Sequence, residues 1–135
     1  MSRTPNPIPE GFSTVTPYIT MDNTSEAIEF YKLAFGAEET FRLCEEGRVR
    51  HAQIRIGTSM LMLHDENLAW PVYRCAKAYG GSPVNLFLYV DDADAWVDRA
   101  VSAGAKLVMP VSDQEYGRAG GVEDPFGLTW WITTP

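Results

Sequence analysis

Thr14-Val-Thr-Pro-Tyr-Ile-Thr-Met21, followed by Asp22-Asn23, an amphipathic run ending at Phe35 and then Gly36-Ala37-Glu38, returns in the second half of the chain as Val84-Asn-Leu-Phe-Leu-Tyr-Val90, Asp91-Asp92, an amphipathic run ending at Ala103 and Gly104-Ala105-Lys106. Met21 falls on Val90, Ile28 on Trp96 and Gly36 on Gly104. Each copy reads as strand, cap, helix, glycine stop, strand, and self-similarity of this kind sets the architecture before any motif is weighed. Working outward, strand one is expected over Thr14–Met21 and a helix over Ser25–Phe35. Asn23 caps that helix with Glu26 three residues on, and Gly36 ends it. Strands follow near Glu39–Cys44, Val49–Ile56 and Met60–Asp65, with Gly57-Thr58 as a tight hairpin turn. The second module gives a strand over Val84–Val90 and a helix over Ala93–Ala103 capped by Asp91. Further strands are expected over Lys106–Pro110, near Gly120–Glu123 and over Leu128–Thr133. The domain plan is an extended Pro-rich arm (1–12), then one domain (13–135) made of module one (14–66), a linker (67–83) and module two (84–134).

The chain has 135 residues, 45% hydrophobic and 21% charged, with a net charge of −7. A chain of this length buries roughly two-thirds of its unfolded surface, enough for one sizeable core. Its acidity argues against a nucleic-acid partner. No basic amphipathic stretch invites an anionic membrane, no apolar run approaches a membrane span, and the N-terminus lacks the apolar region of a secretory signal. Cys44 and Cys75 are widely spaced and form no CxxC, which reads as two reduced thiols in a cytoplasmic protein.

Val15-Thr-Pro-Tyr18, Ala27-Ile-Glu-Phe-Tyr31, Ala34-Phe-Gly-Ala-Glu38, His51-Ala52, Ile56-Gly57, Leu61-Met-Leu63 with Asp65-Glu66, and Asp124-Pro-Phe-Gly127 occur in that order over about residues 12–134. Together they resemble the glyoxalase/bleomycin-resistance/dioxygenase superfamily, also called vicinal oxygen chelate proteins, and the PhnB-like subgroup most closely. The resemblance implies an α+β fold of two paired βαβββ modules forming a curved eight-stranded sheet around a central cavity, with helices outside. It also implies a homodimer. Function stays open, because this superfamily hosts lyases, dioxygenases, thiol transferases and non-catalytic drug-binding proteins.

Metal-dependent members of the family take their ligands from the first and fourth strands of each module. Those positions fall here on Thr16, Met62, Asn85 and Trp131, and a shift of two residues would exchange Met62 for His64. A divalent ion such as zinc needs three or four good N, O or S donors. Trp131 has no acceptor, Met62 offers a soft thioether, and Thr16 and Asn85 offer neutral oxygens. The family's metal site is therefore expected to be absent and no cofactor is expected. PhnB-like sequences also carry His-Ala-Glu on strand three and a His after Asp-Pro-Phe-Gly, where this chain has Gln53 and Leu128. A Gly-rich nucleotide loop is missing as well.

Strand parity puts Tyr18, His51, Gln53, Arg55, Met62, His64, Asn85, Phe87, Tyr89 and Trp131 on the faces that look into the groove. Apolar surface with a few polar groups is how small-molecule sites are built. A buried Trp removes roughly 200 Å² from water, worth at most about 5 kcal/mol, so either neighbouring side chains or a flat ligand must cover Trp131. Linker aromatics such as Trp70 and Tyr73 either cover the cavity mouth or pin the loop. Arg55 either pairs an acidic ligand or a nearby acid such as Glu38. If Gly57-Thr58 is a two-residue turn, Ile56 opposes Ser59 and the same register sets His51 opposite His64, with Cβ atoms about 5 Å apart. These two histidines, the chain's whole complement, either form a hydrogen-bonded pair without a role or act as a general base, since imidazole titrates near neutral pH. Three functions follow: metal-independent binding or sequestration of an aromatic or hydrophobic compound at Tyr18, Gln53, Arg55, Met62, Asn85, Phe87, Tyr89 and Trp131; a glyoxalase-like lyase or isomerase using His51 and His64; or a structural dimer with a self-filled groove.

Overall fold

The computed structural model describes residues 6–135, so the first five residues of the expected arm lie outside the described residues. Module one runs β1 (Tyr18–Met21), α1 (Thr24–Phe35), β2 (Glu38–Glu45), β3 (Arg48–Ile56) and β4 (Ser59–Asp65). Module two runs β5 (Leu86–Tyr89), α2 (Ala93–Ala103), β6 (Lys106–Gln114), β7 (Gly117–Glu123) and β8 (Thr129–Thr134), and a short 3-10 turn, Ala76–Tyr79, lies between the modules. The strands form two four-stranded sheets of equivalent topology, β1-β4-β3-β2 (sheet A) and β5-β8-β7-β6 (sheet B). The first strand of each pairs in parallel with the fourth. Two βαβββ modules are thus what the repeat builds.

The helix ends follow local chemistry. Asn23 is extended, and its Oδ1 accepts the Glu26 N–H at 3.1 Å. Gly36 ends α1 at φ 65°, in the left-handed region that L side chains avoid. In α2 the cap is Asp92 rather than Asp91: the helix begins at Ala93, and Asp92 Oδ1 accepts the N–H of Ala95, the third helical residue, at 3.1 Å. Asp91 stands one residue too early to reach it.

Strand limits depart from the expected ones for similar reasons. β1 begins at Tyr18, because Thr16 Oγ1 turns back to donate to the Ser13 carbonyl. β5 begins at Leu86, after a local turn in which Ser82 Oγ bonds both the N–H and the carbonyl of Val84. β6 continues past Pro110 to Gln114, with register shifts between Leu107 and Met109 and between Met109 and Ser112. Proline is tolerated there because β6 is an edge strand and irregular. β7 starts at Gly117, earlier than expected.

Each helix covers one face of its own sheet, and the two helices also pack on one another. Ile54, Leu61 and Leu63 of sheet A, Val122, Trp130 and Ile132 of sheet B, and Ile28, Tyr31, Phe35, Val97 and Ala100 of the helices are buried in one continuous core. Its aromatic centre crosses the modules: the Trp130 ring lies 4.7 Å from Phe35 and 5.6 Å from Tyr31. The buried carboxylate of Asp124 anchors this seam. Its Oδ1 accepts the N–H groups of Phe126 and Leu128 at 2.9 and 3.0 Å, closing the Asp124-Pro-Phe-Gly127 turn. Its Oδ2 accepts the Tyr31 hydroxyl at 2.5 Å and the Trp130 indole N–H at 2.9 Å. Burial outweighs these donors and holds the Asp124 carboxyl above its ordinary value, and it pushes the Tyr31 phenol up as well. Among the described residues no helix is long and apolar enough to cross a membrane.

Candidate functional site

The helices leave one face of each sheet uncovered, and those two faces carry the groove residues. On sheet A, β4 pairs with β3 through Ile56↔Ser59 to Ala52↔Leu63, as the two-residue turn at Gly57-Thr58 requires. The paired ladder ends there, one residue short of His51 and His64. Tyr18 lies beside both, its ring stacked on His64 with centres 4.4 Å apart and tilted to His51 at 6.2 Å. Tyr73, from the linker, meets His64 edge-on at 4.6 Å.

The partners of His64 fix its tautomer. Nδ1 lies 3.2 Å from the Asp65 carbonyl, which only accepts, so Nδ1 carries the proton. Nε2 then accepts from Thr20 Oγ1 at 2.9 Å. Burial, with a smaller push from His51, lowers the His64 pKa below the usual imidazole value. Gln53 sits beside His51, its amide nitrogen 3.1 Å from His51 Nε2. Arg55 is paired with Glu38 at 2.5 Å, the nearby-acid alternative.

A bulge interrupts β3. Leu43 pairs with His51, but Cys44 pairs with Val49, which leaves Arg50 as an extra residue. Val49 is buried in the core like Ala52 and Ile54, while Arg50 stays exposed. Beside this bulge a cavity of about 450 Å³ opens between sheet A and the linker, with Tyr18, His64, Arg48, Arg50, Trp70 and Tyr73 among its walls. The Tyr18 phenol is raised by burial and by the Tyr73 hydroxyl, against the opposing charge of Arg50.

On sheet B the uncovered face is aromatic. Trp131 pairs across the ladder with Gly121, and a Cβ on Gly121 would fall 2.4 Å from Cζ3 of the indole. The ring therefore lies flat across the space that a side chain at 121 would fill. Its N–H donates to Asn85 Oδ1 at 3.0 Å, which fixes its orientation. Phe87 lies next to Tyr89 and Tyr116, at 5.2 and 6.2 Å between ring centres. No hydrogen bond, ion pair or ring contact among the described residues joins the Tyr18–His51–His64 set to the Asn85–Phe87–Tyr89–Trp131 set. Met62, opposite Gln53, is half-buried on sheet A.

The donor set does not fit the family's metal ion. Asn85 Oδ1 is taken by the Trp131 N–H, Thr16 Oγ1 lies in the turn before β1, Met62 offers only sulfur, and both ring nitrogens of His64 are occupied. Among the described residues no group of three or more His, Cys, Asp or Glu side chains is arranged to hold a metal.

Strand parity misses Arg50, because the bulge is invisible to an alternation count, and it says nothing of Trp70 and Tyr73, which sit on an aperiodic segment. The apolar residues Val49 and Ala52, three apart rather than two, are the available hint of it in the sequence.

A family model described as the Glyoxalase/Bleomycin resistance protein/Dioxygenase superfamily matches residues 12–132. An uncharacterized protein of Mycobacterium tuberculosis is 37% identical over 125 residues, covering 90% of this chain and 74% of the relative. The X-ray structure of a gene product from Arabidopsis thaliana is 32% identical, spans 90% of this chain and 98% of its own, and superposes with a TM-score of 0.75. The PhnB protein from Bacillus cereus superposes with a TM-score of 0.67 over 91% of this chain and 100% of its own, and at 18% identity the likeness is one of fold.

Proposed function

Since the chain belongs to the glyoxalase/bleomycin-resistance/dioxygenase superfamily, we propose that it is a metal-independent small-molecule-binding protein that takes a flat aromatic or hydrophobic compound on the helix-free faces of its sheets. The observation that carries this reading is the Trp131 platform. The indole is laid flat by the missing side chain at Gly121, held by Asn85, and left partly open to solvent. A ring held at both edge and face, with Phe87 and Tyr89 on the same face, is preorganised for stacking, and such contacts add about 0.5–1.5 kcal/mol beyond area burial. The donor set argues in the same direction, because it offers chemistry for hydrogen bonding and stacking rather than for ion coordination.

Oligomeric state belongs to the same reading. Phe87 and Tyr89 are 48% and 68% exposed, aromatic surface that a second copy of the chain would cover. Sedimentation velocity is expected to give a homodimer. The binding reading is tested by titrating the protein with the planar dye 1-anilinonaphthalene-8-sulfonate and following both dye and tryptophan emission. Trp131→Ala is expected to weaken binding by about tenfold, the equivalent of 1.4 kcal/mol. Equal affinity of the two proteins would remove the platform from the site.

A glyoxalase-like lyase or isomerase built on His51 and His64 is the second reading, favoured by the Tyr18–His64 stack on the wall of the 450 Å³ cavity. It requires turnover that His51→Ala abolishes. The cavity itself speaks against a groove filled wholly by the protein's own side chains.

A further inference from the structure

The 450 Å³ cavity is walled by module one and the linker and takes nothing from sheet B. We propose that it is a separate binding site for a small aromatic carboxylate, the carboxylate on Arg50 and the ring among Tyr18, Trp70 and Tyr73. The proposal rests on the reading of this chain as a small-molecule binder, but not on the Trp131 platform.

The bulge in β3 is the first support. Without it, Arg50 would follow Ala52 and Ile54 onto the helix side of the sheet. The extra residue returns Val49 to the core and keeps the guanidinium on the open side, where its charge reaches the Tyr18 phenol. Bulges are common where a strand must re-aim one side chain.

The second support is how loosely the cations are held. Arg50 Nη1 donates to Glu45 at 2.7 Å, with the two side chains 67% and 57% exposed. An ion pair in that much water contributes little net stability, and it engages only Nη1, so the other N–H groups of Arg50 can take a ligand carboxylate beside Glu45. Arg48 stands on the same wall and donates to the Glu66 carbonyl, one bond from a group with five N–H donors.

The third support is the slot for a ring. Tyr18 is backed by His64, and Tyr73 stands perpendicular to Tyr18 with ring centres 6.0 Å apart. The volume lies within the range of ordinary ligand sites. The acids on the wall mostly have partners: Asp65 accepts the N–H groups of Thr24 and Val49, and Glu45 holds Arg50. Glu46 makes no hydrogen bond or ion pair among the described residues, so an aromatic cation is the competing ligand.

Calorimetric titration of the full chain with 2-naphthoate, 2-naphthamide and 2-naphthylmethylammonium at low ionic strength separates these ligands. Naphthoate is expected to bind tightest. Arg50→Gln is expected to weaken it at least about tenfold and to erase its lead over the amide. Arg50→Lys, which keeps the charge but not the fork, is expected to retain part of the affinity. Urea melts of both variants confirm that they fold. Trp131→Ala is expected to remove only the platform's share of naphthyl binding and to leave the Arg50-dependent lead of naphthoate over the amide in place. Ammonium binding as tight as naphthoate binding, or an unchanged affinity in Arg50→Gln, overturns the proposal. A loss in Trp131→Ala without one in Arg50→Gln overturns it too, while leaving the platform reading standing. No naphthyl binding at all sinks both.

Discussion

Replacing Asp124 with Asn changes one buried atom and tests the seam between the modules. In the native protein Oδ1 serves two main-chain N–H groups of the turn, and Oδ2 serves the Tyr31 hydroxyl and the Trp130 indole. An amide placed with its oxygen toward the turn sets its NH₂ against the indole N–H, donor against donor. The flipped amide sets the NH₂ against the two main-chain N–H groups instead. Either way at least one buried N–H loses its acceptor, at a cost of about 1–3 kcal/mol. The surviving bonds lose their charge assistance. Part of this is offset, because burial already raises the Asp124 carboxyl above its ordinary range and the neutral amide is cheaper to bury. The net expectation is a loss of about 2–3 kcal/mol at pH 7. Urea denaturation of wild type, Asp124→Asn, Tyr31→Phe and the double variant closes a cycle with an expected coupling of about 1–2 kcal/mol. Because Tyr31 belongs to module one and Asp124 to module two, the transition should stay single in every variant. A loss below about 0.5 kcal/mol, or strict additivity with Tyr31→Phe, would refute the account of Asp124 as the carboxylate that joins the halves.

Gly121→Ala should push the Trp131 ring off its seat, destabilising the fold by about 1–3 kcal/mol through overpacking and shifting tryptophan emission. An unperturbed spectrum would count against the platform geometry. His64 has a lowered pKa, so between that value and the unfolded one near 6.5 the unfolded chain binds more protons and stability rises with pH. Its contribution is complete above about pH 6.5 and is lost as the pH falls through the folded value. His64→Gln is expected to flatten that part of the curve of urea midpoint against pH, and an undiminished slope would contradict the burial of a neutral ring. Asp92→Ala should cost about 1 kcal/mol as a lost helix cap, while Asp91→Ala stays within about 0.5 kcal/mol, and thermal melts distinguish the two.

Much of this fold can be read from the residues. The duplication gives two copies of one topology. Asn23 with Glu26 and Gly36 mark the ends of α1, and Gly57-Thr58 sets the β3–β4 register through Ile56↔Ser59. What escaped the reading shares a physical cause. Asp91 and Asp92 are chemically identical, and only the first helical φ/ψ decides which one reaches an N–H. Strands β1 and β5 start late because Thr16 and Ser82 satisfy local backbone groups before any partner strand does. The bulge at Arg50 breaks parity for a single residue, and a pattern of alternation cannot show an insertion that it contains. Trp131 could be assigned a face from parity, but its flat posture depends on an atom missing from the neighbouring strand at Gly121.

The continuous core has a consequence for the duplicated halves themselves. Their interior surfaces are complementary and no longer self-sufficient: cut within the linker near Leu68–Val72, either fragment would show water the aromatic side chains that its counterpart normally shields. Two such fragments should therefore reassemble when mixed, and neither alone should fold. The repeat survives in the sequence as history, while cooperativity now belongs to the whole chain.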